Sequence, residues 1–364
     1  MALIGTLLSL APVLALSARV PSGVTYRNSR SRMLITLALL TTGVCNLLYT
    51  LVSSPLTFAL VHSLYGFAFG AVTTFYMAFF IESVPADENR HHAMGYYSSS
   101  LAAGHMVGAF ASGFIADTFG YTGSFQFASL LSFASMGLLA FLSTPSGANH
   151  AAQKKPASIS FRGLFAVMVE PKAATVVVVA MFLNLIHQIA NVFLPLYGLS
   201  VGLTLGQVGI VKGFYSLTNA FTRPVAGYIV KGIGLERVYR VGLPLNALSL
   251  MLIPLFYGVP TLIFAFFVIG MLRAIVIVAN TISLVEDVDE SRVPRGVASG
   301  VYNASGDVGN MLGPVTGGLV ASATGIAGLF LTTPVCVLAL FLLALAGIKM
   351  LPTKPPSQSH PEVG

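Results

Sequence analysis

Tryptophan is absent, cysteine occurs twice, and charge is scarce, with Asp, Glu, Lys and Arg making up 9% of 364 residues. Soluble domains carry roughly 25% charged residues, so an ordinary soluble domain is excluded. In place of charge the chain is 55% hydrophobic, with a mean hydropathy of +0.83. Water cannot wet that much apolar surface, and an all-α integral membrane protein is expected. Cys45 and Cys336 both fall inside apolar runs, which argues against a structural disulfide, and no metal-ligand spacing exists. Tyr and Phe must supply any interfacial belt. There is no glycine-rich phosphate loop of Walker type, so ATP-driven transport is unsupported. No Ser/His/Asp arrangement suggests an intramembrane hydrolase. Neither an enzyme nor a cofactor is expected.

A spanning helix needs roughly 20 apolar residues. About eleven such runs occur: Ala2–Val20, Met33–Val52, Leu56–Ile81, Ala93–Ala116, Thr122–Leu142, Ala174–Leu199, Leu205–Val230, Val238–Tyr257, Thr261–Leu284, Val297–Ala321 and Ile326–Leu351. The loops between them alternate. One set carries Arg27, Arg30, Arg32, Asp87, Arg90, Lys154, Lys155, Lys231, Arg237 and Asp287 to Arg295; the other, near Ser54, Tyr121, Gly202, Val259 and Gly325, is nearly bare. The net charge of +7 thus lies in short loops and reads as membrane orientation, not nucleic-acid binding. Positive-inside bias makes the charged loops and the C-terminus cytoplasmic in a plasma membrane. The expected organisation is an N-terminal bundle (1–144), a Ser, Ala, Lys and Pro-rich linker (145–172), a second bundle (173–351) and a tail (352–364). A monomer is expected.

The most informative stretch is Tyr302–Gly318, YNASGDVGNMLGPVTGG. Gly309, Gly313, Gly317 and Gly318 fall at helical spacing, leaving a groove into which another helix packs closely. Pro314 should kink this helix. The pattern has an earlier copy: a shift of 205 carries Gly309, Gly313 and Gly318 onto Gly104, Gly108 and Gly113, and Gly325 onto Gly120. A shift of 204 carries Gly209, Arg223, Gly227 and Glu286 onto Gly5, Arg19, Gly23 and Glu82. The chain is therefore a tandem duplication. Ala2–Val20 aligns with Leu205–Val230, so the partner of Ala174–Leu199 would precede Met1. The expectation is a six-plus-six plan with its first helix missing, through a truncated gene model or a genuine eleven-span (5+6) chain.

Two six-span repeats, a central linker and short outer loops resemble the major facilitator superfamily of secondary transporters. Gly309-xxx-Gly313-Pro314-xx-Gly317-Gly318 has the spacing of that family's glycine-proline motif. The fifth-helix copy, Gly104-xxx-Gly108-xxxx-Gly113, lacks the proline. The stretch from Gly23 to Arg32 resembles the family's second-to-third-helix loop, with Arg27 at the acidic position; Gly227 to Gly234 is its later copy, with Lys231 there. The resemblance implies gating roles for Arg19, Gly23, Arg27, Glu82, Arg223, Gly227, Lys231 and Glu286. It also implies alternating access by two rocking bundles around a midplane site.

Asn184, His187, Gln188 and Asn191 form a polar stripe at helical spacing, and Tyr215 and Asn219 repeat the device on the next span. They line a solute cavity or bond helices together. Arg273 and Asp307 fall at similar depth, where an isolated charge is costly. They form either a working pair, Arg273 holding a polar or anionic group and Asp307 carrying a proton, or a fixed ion pair. His105 joins a proton relay or packs as a buried histidine. Asn280 is a further cavity candidate. His62, Lys212 and Asp117 sit nearer the outer ends of their spans, where snorkelling accounts for them. The reading is a proton-linked transporter of a small organic solute, export weighted over uptake on the glycine motif, with a transport-inactive fragment or membrane sensor as the rival.

Overall fold

The computed structural model describes residues 1–83, 89–141, 171–286 and 295–349, and every regular element among them is helical. Of the expected linker only Pro171 and Lys172 are described, as the start of a helix, and the expected tail lies outside the described residues. In chain order the helices are α1 (Ala2–Thr25), α2 (Ser31–Tyr49), α3 (Pro55–Ser83), α4 (Asn89–Phe141), α5 (Pro171–Ser200), α6 (Leu205–Ile233), α7 (Leu235–Leu255), α8 (Val259–Glu286) and α9 (Arg295–Lys349). Helix is what a membrane demands, because every backbone polar group is then satisfied within its own segment. Seven stretches among the described residues are long and apolar enough to cross a bilayer.

Local sequence sets the boundaries. Pro55 and Pro171 open their helices, where a missing N–H costs nothing. Thr204 caps α6 reciprocally: its hydroxyl accepts from the Gln207 amide at 3.2 Å, and its own amide donates to Gln207 Oε1 at 3.0 Å. Two glycines turn the chain. Gly120 (φ 70°) and Gly325 (φ 76°) adopt a conformation that side chains resist, dividing α4 and α9 into two arms each. The arms of α4 fold back on each other, since the Ser124 hydroxyl reaches the Ser112 carbonyl at 3.2 Å. Pro314 lies within the first arm of α9.

Two separate cores hold the molecule together. One joins Ile35, Leu39, Phe75 and Leu139; the other joins Phe182, Phe193, Tyr197, Phe330 and Phe341. Polar bonds reinforce each. Asn280 is fully buried, donating to the Val176 carbonyl at 3.0 Å and accepting from the Tyr239 hydroxyl at 2.9 Å. His62 bonds the Tyr49 hydroxyl at 2.5 Å, so it ties α2 to α3 and does not snorkel.

The halves meet along two seams, α1 on α9 and α4 on α6, and the seams repeat each other. A Cβ on Gly318 would stand 3.0 Å from Gly5 Cα, and one on Gly209 would stand 3.0 Å from Gly113 Cα. These pairs are related by the 204- and 205-residue shifts. So are two polar contacts: the Ala2 amide donates to Ser322 Oγ at 2.8 Å, and the Gly206 amide donates to Asp117 Oδ2 at 2.7 Å. Within the halves, Gly66 packs on Ala11 as Gly270 packs on Tyr215, again 204 apart. Asp117 also accepts from the Thr204 hydroxyl at 2.6 Å, so it clasps α6 and has no need of snorkelling. All these seam contacts lie at the end that bears the bare loops.

Candidate functional site

Away from the bare-loop end the second seam parts. A cavity of about 640 Å³ opens between α4, α5, α6 and α8. Helical periodicity explains its lining. On α6, Lys212, Tyr215, Ser216, Asn219 and Arg223 recur at three- and four-residue intervals and share one face. On α4, Gly104, Gly108 and Ser112 do the same opposite them, beside Leu101 and His105. α5 contributes His187 and Asn191, and α8 contributes Arg273.

Arg273 is 9% exposed and fixed on one side. Its guanidinium donates to the Leu183 carbonyl at 2.6 Å and to Asn184 Oδ1 at 3.1 Å. Asn184 is itself oriented by donating to the Ala180 carbonyl at 2.9 Å. Arg273 thus presents a charge of settled geometry, with donors to spare, to the cavity. Beside it the Tyr215 hydroxyl and His187 Nδ1 lie 2.8 Å apart, their rings stacked at 5.5 Å. Lys212 and Arg223 have no hydrogen-bond or ion-pair partner among the described residues. Lysine, two arginines and two histidines face the space, and no carboxylate does among the described residues. With low-dielectric walls, that arrangement focuses a positive potential inside.

The expected residues divide accordingly. His187, Asn191, Tyr215, Asn219 and Arg273 converge on the cavity, as does His105. Asn184 stands behind Arg273, Gln188 packs beside Gly313, and Asn280 is interhelical glue; none of these three lines the cavity. Asn280→Ala should therefore lower thermal stability, by about 1–3 kcal/mol for the two buried hydrogen bonds lost, and leave solute affinity unchanged in a binding titration.

The expected pairing of Arg273 with Asp307 does not occur. Asp307 instead meets Arg19 across the first seam, with Nε to Oδ2 at 2.8 Å and an amino nitrogen donating to Oδ1 at 3.2 Å. Depth along a span can be read from sequence, but the direction a side chain takes around the helix depends on packing. Gly309, Gly313 and Gly317 pack on α5, and Gly318 on α1. Gly113 packs on α6, but Gly104 and Gly108 have open space in front of them and border the cavity, so the early copy is only partly a packing motif. Among the gating candidates, Arg27 and Lys231 are exposed, and Gly23 and Gly227 touch nothing at their Cβ positions. The side chains of Glu82 and Glu286 lie outside the described residues. Lys212, expected to snorkel, lines the cavity instead, three positions before Tyr215 on the same face of α6; Ser112 and Ser216 line it without having been anticipated.

The model of the Major Facilitator Superfamily matches residues 1–288 and again 176–363. The staphylopine export protein of Staphylococcus aureus is 31% identical over 129 residues, which span 35% of this chain and 32% of that protein. An uncharacterised MFS-type transporter of Methanocaldococcus jannaschii is 22% identical over 318 residues, 86% of this chain and 80% of its own. Among solved structures, the nucleoside transporter NupG superposes with a TM-score of 0.76 at 14% identity, covering 96% of this chain and 90% of its own. A bacterial homologue of the human lysosomal transporter Spinster, inward-facing and unoccupied, gives 0.70 at 12% identity, with 97% of each chain covered. At such identities these structures share the fold alone.

Proposed function

The chain belongs to the Major Facilitator Superfamily and is a multi-pass membrane transporter, not an enzyme, and from that premise we propose that it moves a small organic anion by alternating access, coupled to protons and in the export direction. The observation that carries this is the cavity lining: Lys212, Arg223 and Arg273 with two histidines, and no opposing carboxylate among the described residues. Burying unpaired cations is costly in a membrane, and an anionic solute offsets that cost. Arg273 is the anchor, held from behind by α5. The charged-loop end is the cytoplasmic one by the positive-inside rule. Both seams are closed at the opposite end and the second parts toward the charged loops, so in this reading the conformation receives solute from the cytoplasm. Local similarity to a staphylopine exporter adds weight to export.

Asp307 is the proton carrier in this reading. It forms an ion pair between the halves, with Arg19. Protonation would discharge it, release Arg19 and free the first seam to move. His105, in the cavity, would share the relay. The test uses proteoliposomes with an imposed pH gradient and a panel of labelled dicarboxylates, tricarboxylates and organic cations. Anions should accumulate against their gradient, and unlabelled anions should compete for entry. Asp307→Asn should keep anion exchange but slow pH-driven uptake by roughly a hundredfold or more, the scale of removing one positioned proton-transfer group. Equal competition by organic cations would end the anion reading. An unchanged pH response in Asp307→Asn would remove that residue as carrier.

A further inference from the structure

The two seams match at the bare-loop end and differ at the other. On the first seam Arg19 is paired with Asp307. The repeat carries Arg19 onto Arg223 and Asp307 onto Ala102. Arg223 and Ala102 both border the cavity, so the second seam keeps the cation and has a methyl group where its twin has a carboxylate. The packing differs as the charges do: Gly113 meets Gly209 closely, yet Gly108 and Gly104, about one and a half and two and a half turns nearer Ala102, face open space. One seam carries a built-in latch, and the other carries half of one.

We propose that an oxyanion, carboxylate or phosphate, binds Arg223 opposite Ala102 and completes the second latch, so that an occupied cavity draws the charged-loop ends of α4 and α6 together. A guanidinium suits this role because it takes oxyanions in a bidentate way, as Arg19 takes Asp307. Closure then depends on cargo. An empty transporter lacks the second clasp and a loaded one gains it, which ties the conformational change to a bound ligand through differential affinity for the closed state. The inference rests on the anion reading above and adds to it the residue that senses the cargo. Two sources of oxyanion are open to Arg223: solute in the cavity, or a lipid phosphate entering by the adjoining apolar groove of about 670 Å³ lined by Met106, Leu217 and Phe221.

The experiment measures the separation of α4 and α6 by nitroxide pairs. Labels go on Ser100→Cys and Val225→Cys, both exposed, in the full chain with Cys45→Ala and Cys336→Ser. In maltoside micelles, titration with citrate or inorganic phosphate should shorten the distance, and choline chloride at matched ionic strength should not. Ala102→Asp should give the short distance with no anion added, and its citrate affinity should fall roughly tenfold or more, the scale of losing a charged hydrogen-bond pair. Arg223→Gln should stay at the long distance whatever is added. Shortening in phosphatidylglycerol nanodiscs without added anion, absent in maltoside, would support the proposal with lipid as the source. A distance unmoved by anions in either medium would overturn it, as would Ala102→Asp at the wild-type distance. The two readings fail differently. If citrate stabilises the wild type thermally and not Arg273→Gln, while the label distance stays fixed, transport of anions stands and the latch falls. If citrate binds neither, the anion reading falls, and the Ala102→Asp distance still reports on the latch.

Discussion

Gly309→Leu should leave little folded protein in the membrane, whereas Gly104→Leu should fold normally and fail to transport. Both glycines belong to the same repeated motif, yet they face different things. A Cβ on Gly309 would strike the Met181 carbonyl, with the Leu185 amide nitrogen at 3.0 Å and Asn184 Cβ at 3.1 Å. These are mostly backbone atoms, which cannot rotate away, so the whole α5–α9 contact must open. Overpacking of this kind costs about 3 kcal/mol or more. It would also push on Asn184, which holds Arg273, so the damage reaches the site. A Cβ on Gly104 meets nothing within 4 Å, because it borders the cavity. Leucine there removes an entropic weakness of about 1 kcal/mol from a helix while occupying solute space. Fluorescence-detected size exclusion and melting curves should show a lost or aggregated Gly309→Leu and an intact Gly104→Leu; citrate binding by the latter should be weak or absent. A monodisperse Gly309→Leu of wild-type melting temperature would contradict the packing assigned here.

That contrast marks how far the sequence could be read. The recurrence of small residues at 104, 108 and 113, and again at 309, 313 and 318, was enough to find the duplication and the close seams, because glycine at helical spacing has few physical meanings. It could not separate Gly104 from Gly309, since one letter serves close packing and cavity clearance alike. Periodicity also found most of the cavity. The α5 and α6 stripes follow from helix geometry, and His187, Asn191, Tyr215 and Asn219 do meet there. The partner of Asp307 was out of reach by the same reasoning. Arg273 matches it in depth, but Arg19, 288 residues away, matches it in direction. A choice between two arginines at one depth depends on how the halves are rotated against each other. Lys212 was misassigned because position near a span's end suggested snorkelling, while its stripe pointed inward. The side chains of Glu82 and Glu286, expected in the gates, lie outside the described residues.

A large functional loss should also come from Arg273. Arg273→Gln keeps an amide that can still donate to α5 but removes the charge, and anion affinity should fall roughly a hundredfold, the value of about two charged hydrogen bonds. Stability should change little. Removing a cation from this depth is favourable in itself, and that gain offsets about 1 kcal/mol for a weakened bond to Leu183 or Asn184. Arg273→Lys should rescue only in part. An ammonium is a compact point charge, and it cannot span the Leu183 carbonyl and Asn184 Oδ1 while presenting a second pair of donors to the cavity. Asn184 acts through Arg273: Asn184→Ala leaves the cation in place but unaimed, so affinity should fall by a smaller factor, about tenfold. The order wild type, Asn184→Ala, Arg273→Lys, Arg273→Gln in citrate titrations, at near-constant melting temperature, is what a positioned anchor requires. If Arg273→Gln bound citrate as the wild type does, the guanidinium would be a structural strut between α8 and α5, and the anion would have to be held by Lys212 and Arg223 alone.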